Sequence, residues 1–405
     1  MFDQIGLWLM ERGLRESDVD EVVRGFGQRL VEAGVSLQRV SLGGMFLHPV
    51  FGAMDVVWNA HDDTVVNQMM PREVVTTPEF RNAPFFWAIT QQVDFQRFRL
   101  GAGPVEPEFP IFERLRDSGV SDYLLFFESY HRKNDVLWAD LPPGMEGIAL
   151  SLSTRRIGGF SDFEVAYLRA LMRPFALCVK SLTTHALARA LLDTYLGKYS
   201  GARVLNGMVE RGDGGLIDCV LVYCDLRDST RLAEVMTPDD YLALINDYFD
   251  CTAGAVVDHG GEVLKFIGDA VLAIFPIDAG ERPAADMCRA AISAAREAFD
   301  RSRRECEDKN RPADSLRFGI SLHVGQVMYG NVGTERRLDF TVIGPSVNYA
   351  NRLEGLCKRL DTPLIVSDSF RAHYDGDLHP LGRHALSGAS AKIETFTLPE
   401  FAPGD

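Results

Sequence analysis

The 405-residue sequence predicts an α+β protein of two domains joined by a helical connector, with boundaries at 1–173, 174–213 and 214–400. Three observations predict it. Beyond residue 216, apolar runs of strand length alternate with helix-length amphipathic stretches. Residues 161–196 keep a helical period almost throughout, broken only by Pro174. Between them, GKYSGARVLNGMVERGDGG (197–215) is rich in glycine and polar residues, as a boundary should be. The length suits two cores better than one.

In the N-terminal part, Val19, Val22, Val23, Phe26, Leu30 and Val31 form an amphipathic stripe, so residues 1–36 read as helical. LQRVSLGGMFLHP, AMDVVWNA, DYLLFFESY and EGIALSLSTRR read as strands, and GAGPVEPEFP (101–110) as a loop. Strands between flanking helices suggest a small domain with a central antiparallel sheet. The strand EGIALSLSTRR followed by GGFSDFEVAYLRALM resembles the C-terminal end of GAF sensor domains, with Ser161 or Asp162 as helix cap. This GAF-like resemblance implies an α/β sensor domain with a small-molecule ligand of unknown identity. The NKFDE pattern of cyclic-nucleotide-binding members is absent, and no cysteine precedes Cys178 to attach a bilin. His48, His61 and His131 are scattered singly and read as surface or core residues.

Leu168, Leu171, Phe175, Val179, Leu182 and Ala186 make a stripe through the next helix. It fits a helix packed on its own domain, and equally a parallel two-chain connector that passes a signal. Pro174 should kink or restart it.

In the C-terminal half, Val220-Leu221-Val222-Tyr223-Cys224 reads as a buried strand that ends in Asp225. GGEVLKFIGDAVLAIF (260–275) reads as a hairpin turning at Gly268-Asp269. Two aspartates at neighbouring strand ends can share hard divalent cations, which bring phosphates with them. A helix starting at Thr237-Pro238, an Ala-rich helix over 284–304, strands at 316–325 and 338–344 and a helix from Pro345 to Leu360 complete a β-α-β-β-α-β order. That order is the ferredoxin-like pattern.

VYCDLRDST, EVLKFIGDAVLAIFP, GISLHVGQVMYGNVG and DFTVIGPSVNYANRLE, in that order, resemble the catalytic domain of class III adenylate cyclases, over about 216–400. The resemblance implies conversion of ATP to cyclic AMP and pyrophosphate. Asp225, Asp269 and the Leu226 carbonyl would hold two Mg²⁺ or Mn²⁺ ions, and the loop Leu226-Arg227-Asp228-Ser229 would meet the phosphates. Lys265 and Thr341 stand at the purine-reading positions, where lysine suits adenine and threonine resembles the class IIIb subgroup. Asn348 and Arg352, four apart on one helix face, would orient the ribose and neutralise the α-phosphate in the transition state. One chain would supply the aspartates and its partner the rest, so the resemblance implies a head-to-tail homodimer regulated through the N-terminal domain.

The loop RDST departs from the family's usual Gly-Phe-Thr run, and Pro345 replaces a frequent Asp or Asn. Ser387 stands where a triphosphate lysine is common, with Lys392 nearby but off register. A diguanylate cyclase would carry GG(D/E)EF, which is missing, and Lys265 opposes a guanylate cyclase. A degenerate cyclase domain acting as a signalling module is the reading from another class.

A formal net charge of -15 argues against nucleic acid as partner. Seven cysteines without a CxxC pair suggest a reduced compartment. With no basic leader and no uninterrupted apolar window of membrane length, a cytoplasmic protein without a membrane span is expected.

Overall fold

A computed structural model describes residues 2–15, 17–45, 51–130, 147–312, 315–386 and 392–402; His48, His131 and Ser387 lie outside them. The chain divides at Leu191/Leu192 into two units.

In the first unit, helices α1 (Phe2–Leu14) and α2 (Val19–Glu32) precede strands β1 (Arg39–Met45), β2 (Phe51–Asn59) and β3 (Thr64–Pro71). Short helices α3 (Pro78–Arg81), α4 (Pro84–Thr90) and α5 (Pro110–Asp117) surround β4 (Phe95–Phe98). Then come β5 (Asp122–Ser129), β6 (Gly147–Thr154) and the long helix α6 (Asp162–Leu196). The six strands pair antiparallel in the order β3-β2-β1-β6-β5-β4. β3 and β4 carry little alternation, one being mostly exposed and the other four residues long, which hid them in the sequence.

A reciprocal cap starts α6. The Ser161 hydroxyl accepts from the Glu164 N–H at 3.2 Å, and Glu164 accepts from the Ser161 N–H at 2.7 Å. Of the two cap candidates, Ser161 is the one used. The helix runs through Pro174 without a break, anchored on both sides by buried Leu171, Met172, Phe175 and Ala176. Among the described residues it alone is long and apolar enough to cross a membrane by length and composition. Part of that apolarity lies in the core of its own unit, where Leu168, Phe175, Val179 and Leu182 are buried.

The second unit opens with α7 (Lys198–Leu205), then β7 (Gly214–Leu226), α8 (Ser229–Val235), α9 (Pro238–Asp258), β8 (Glu262–Ile267) and β9 (Ala270–Ile277). It continues with α10 (Ala284–Asp308), β10 (Phe318–Thr334), β11 (Arg337–Ile343), α11 (Pro345–Leu360) and β12 (Leu364–Ser367). A short α12 (Asp368–Arg371), β13 (His379–Ala385) and β14 (Lys392–Thr397) close it. The sheet order is β13-β14-β12-β10-β7-β9-β8, with β11 paired to β10. One face of β7 (Val220, Val222, Cys224) packs with Tyr248 of α9 and Ala291 of α10, and the other (Cys219, Leu221, Tyr223) with Phe340 and Ala350. This is why the run 219–224 carries no polar residue.

The glycine-rich 197–213 segment, expected between domains, belongs structurally to the second unit. Ser200 of α7 donates from its N–H and hydroxyl to Glu262, both at 2.7 Å, and the Tyr329 hydroxyl donates to the same carboxylate at 2.8 Å. All three side chains are buried, and Val204 and Met208 pack beside them. Glu262→Ala leaves the Ser200 N–H and one of the two hydroxyls, which lie 2.8 Å apart, without an acceptor, so it should lower this unit's unfolding free energy by about 2–3 kcal/mol in a urea titration. A loss within error of zero would show that the network does not hold α7.

Candidate active site

Asp225 sits at the end of the central strand β7, between Ala270 of β9 and Gly319 of β10. Asp269 is the second residue of the turn between β8 and β9, where Ile267 pairs with Ala270. Gly268 takes a φ of 65° there, in the region that disfavours a Cβ and closes a two-residue hairpin with the twist of its strands. The turn brings Asp269 within hydrogen-bonding reach of Asp225. Burial first, and the Asp269 carboxylate second, push the Asp225 carboxyl up to about 6. Neither carboxyl has an ion-pair partner among the described residues, and Arg227 and Lys358 only partly offset the rise.

Asp228 enters α8 in the left-handed region, φ 58°, and the Arg227 N–H donates to the Arg317 carbonyl at 2.8 Å. That turn directs the Arg227 side chain inward. Its Nη2 lies 3.0 Å from Oε1 of Glu354 on α11, at an angle that leaves both atoms without a hydrogen bond. The Arg227 N–H is spent on Arg317 and its guanidinium faces Glu354, so in this loop the N–H groups of Asp228 and Ser229 are the ones left for a phosphate. Glu354 was not singled out in the sequence, where it reads as an ordinary helix residue. It is buried, and burial raises its carboxyl to about 7 despite Arg227, with Asp225 and Asp269 adding to the rise. A Cβ on Gly319 would overlap both partners of this ion pair, so glycine makes the room for it.

Lys265 points outward because of a register shift between Val263 and Lys265 in the β8–β9 pairing. Such a bulge re-aims side chains, and from Lys265 to Ile267 all three are exposed. The Lys265 ammonium forms an ion pair with Asp339 of β11. Alternation along β11 puts the nearly buried Thr341 on the same face as Asp339. Asp339 is thus a residue of this corner that the sequence left unmarked; its only signal is its place two residues before Thr341.

Asn348 and Arg352 lie on the exposed face of α11, whose opposite face buries Leu353, Leu356 and Cys357. Neither makes a side-chain hydrogen bond or ion pair among the described residues, with the Asp225–Asp269 pair of their own chain or with any other group. Lys392 begins β14 and is exposed. Among the described residues no cluster of three or more His, Cys, Asp or Glu side chains could hold a metal. Two touching carboxylates and the neighbouring Leu226 carbonyl are the oxygen donors on offer.

A twisted sheet backed by α9 and α10, with two carboxylates meeting at the end of its central strand, is the architecture of a nucleotide cyclase domain. Residues 216–398 match the family described as the Adenylate and Guanylate cyclase catalytic domain, and this stretch is a class III adenylate/guanylate cyclase catalytic domain. The chain is 32% identical over 161 residues to an adenylate cyclase of Anabaena cylindrica, covering 40% of this chain and 32% of that protein. It is 32% identical over 181 residues to adenylate cyclase 1 of Rhizobium meliloti, covering 43% of this chain and 26% of that protein. The chain therefore spans about a third or less of the length of these relatives. Among solved structures, a bacterial light-regulated adenylyl cyclase is similar at 27% identity over 46% of this chain and 92% of that one, with a TM-score of 0.41.

Proposed function

We propose that the protein is an adenylate cyclase that converts ATP to cyclic AMP and pyrophosphate, acting as a head-to-tail homodimer under control of its N-terminal unit. The observation that carries the reading is the Asp225–Asp269 pair at the end of β7 and the β8–β9 turn, two carboxyls near enough that Asp269 raises Asp225, and with no ion pair to either among the described residues. Such a pair suits Mg²⁺ or Mn²⁺, whose ligands are oxygens. Asp225, Asp269 and the Leu226 carbonyl would hold two such ions, which supply a lowered pKa at the ribose 3′-hydroxyl and charge neutralisation at the triphosphate.

The chain's own groups do the rest. The 3′-oxygen bonds to the α-phosphorus as the bond to pyrophosphate breaks, and negative charge grows on the α-phosphate. Arg352 meets that charge with a guanidinium committed to no other partner, and Asn348, one turn earlier, orients the ribose. The loop Leu226-Arg227-Asp228-Ser229 lies against the phosphates, with the N–H groups of Asp228 and Ser229 as its donors, that of Arg227 being held by Arg317. Lys265 donates to N1 of adenine, an acceptor, whereas guanine presents a donor there; Thr341 supplies the second contact. The surface ion pair with Asp339 is worth little and is readily exchanged for the base.

Support for a second copy comes from apolar side chains left in solvent. Leu216, Met328 and Ile343 stand opposite one another across β7, β10 and β11, all exposed. Phe266 and Ile267, beside Lys265, are also about half exposed. Exposed apolar side chains on the sheet that carries the site, around a carboxylate pair whose neighbouring Arg227 is turned to Glu354, are what a partner would cover. In this reading 1–173 is a GAF-like sensor, with a six-stranded antiparallel sheet between helices, and 174–213 is the connector. α7, tied to Glu262 three residues before Lys265, gives the connector a hold on the base-reading strand.

Nucleotide turnover by purified full-length protein with Mn²⁺ and either ATP or GTP tests the reading. Cyclic AMP formation well above cyclic GMP formation is expected; no cyclic product would favour a degenerate signalling module. The base assignment has its own test. Lys265→Glu with Asp339→Asn reverses the hydrogen-bond polarity at the purine edge without leaving a carboxylate pair. It should move the GTP-to-ATP ratio of kcat/KM toward GTP by about tenfold or more. An unchanged ratio in an active variant would mean that other groups read the base.

A further inference from the structure

The sheet of the first unit has two unlike faces. One buries Val40, Leu42, Met54, Val56, Leu150 and Leu152 in the core shared with α2 and α6. The other face is mixed: apolar Ala53, Leu125, Phe127 and Ala149 share it with Arg39, Ser41, Asp55 and Ser151. A face made only to receive helices would be aliphatic there as well. Over this mixed face lies a cavity of about 660 Å³, a size usual for small-molecule sites. Phe80, Phe85 and Ile89 line it from the helices, and Met45, Met70 and Phe127 from the strands.

The polar end holds one cation and one anion. Asp55 accepts from the Ser41 hydroxyl at 3.2 Å through one oxygen, which leaves the other free. Arg39, half-buried, makes no hydrogen bond or ion pair among the described residues. It is near enough to Asp55 to ease ionisation of that carboxyl, yet burial outweighs it and the carboxyl stays raised. The remaining charged lining residues, Glu79 and Arg114, are exposed. Gly43, level with Asp55 on the neighbouring strand, leaves the floor open: a Cβ there would meet only the Ala149 carbonyl, at 3.9 Å.

We propose that this cavity binds a free apolar α-amino acid, with its carboxylate on Arg39, its ammonium on Asp55 and Ser41, and its side chain among Phe80, Phe85 and Phe127. A half-buried guanidinium without a partner calls for a carboxylate, which its planar fork grips through two hydrogen bonds. A simple anion would face Asp55, and a simple cation would leave Arg39 unsatisfied. A zwitterion supplies both missing charges at once, and the desolvation of each is then compensated. The proposal deepens the reading of residues 1–173 as a ligand-sensing domain, and rests on that reading only for any effect on turnover.

Calorimetric titration of the full-length protein decides it, with L-phenylalanine, L-leucine and L-tryptophan as probes. Two analogues of the first probe lack one charge each: 3-phenylpropionate the ammonium and 2-phenylethylamine the carboxylate. At least one amino acid should bind at millimolar concentration or better, and where L-phenylalanine binds, both analogues should bind at least about tenfold more weakly. Asp55→Asn and Arg39→Gln should each weaken the amino acid about tenfold or more, and Gly43→Leu should abolish binding by filling the floor. Thermal unfolding of each variant distinguishes loss of the site from loss of the fold, and Gly43→Ala, too small to fill the floor, should still bind. No heat from any of the three amino acids overturns the proposal, as does 3-phenylpropionate binding as tightly as L-phenylalanine. Binding without any change in cyclic AMP formation keeps the site and overturns only the sensor reading. Cyclic AMP formation in a protein that binds none of them overturns the site and leaves the cyclase intact.

Discussion

Asp225→Asn and Asp269→Asn should each lower cyclic AMP formation by about a thousandfold or more, with no loss of folding stability. The two halves of this expectation have one electrostatic cause. The Asp225 carboxyl is raised to about 6, by burial and then by Asp269. A carboxyl whose pKa is higher folded than unfolded favours the folded state at low pH, and that benefit is lost as the pH rises from about 4 through 6. At neutral pH, without a divalent ion, the ionised pair therefore works against folding. Asparagine at either position removes the repulsion, so the melting temperature in chelator should equal or exceed that of wild type.

A divalent ion reverses the comparison. It relieves the repulsion only where both carboxylates are present, so Mn²⁺ should raise the melting temperature of the wild type and of neither variant. This reads the metal assignment without recourse to turnover. A variant that keeps activity within a few-fold, or that still gains stability from Mn²⁺ as wild type does, would sink the two-carboxylate site. Should both variants unfold well below wild type in chelator, the pair is structural and the argument from repulsion is wrong.

How legible each part was in the sequence depended on how local its cause is. The Asp225–Asp269 pair could be read because a buried strand run and a Gly-Asp turn are each a few residues long and place one carboxylate apiece. Lys265 could be found by motif, but not its outward aim, because the register shift after Val263 interrupts the alternation on which strand reading depends. Asp339 and Glu354 escaped for a related reason. Each acquires its role from a partner about seventy or more residues away in sequence, Lys265 for one and Arg227 for the other. The Gly319 that admits the Arg227–Glu354 pair looks like any strand glycine.

The segment around Ser200 misled by composition. Its glycines read as a linker, whereas Ser200, Val204 and Met208 dock on the catalytic sheet. In the N-terminal half, LQRVSLGGMFLHP reads as a strand, and nothing in it marks Arg39, Ser41 and Gly43 as a site. Only the helices folded over it turn those polar residues into a cavity floor.

Mixing Asp225→Asn with Arg352→Ala should restore activity that neither variant has alone. In one chain, Arg352 stands on the exposed face of α11 with no hydrogen bond or ion pair among the described residues, to the Asp225–Asp269 pair or to any other group. If a second copy supplies that arginine, each dimer has two sites, each built from both chains. In the mixed dimer one site inherits both lesions and the other inherits neither. Random exchange puts half of the chains into mixed dimers, each with one intact site of two, so about a quarter of wild-type activity is expected at equal amounts. The arginine variant alone should fall by at least about a hundredfold, because a charge aimed at the developing phosphate is lost. Exchange is followed by differently tagged chains recovered together. Mixed dimers that form and stay inactive would mean that each chain completes its own site, and that the exposed row of Leu216, Met328 and Ile343 is covered by something other than a second copy. Full activity in the arginine variant by itself would remove Arg352 from the chemistry.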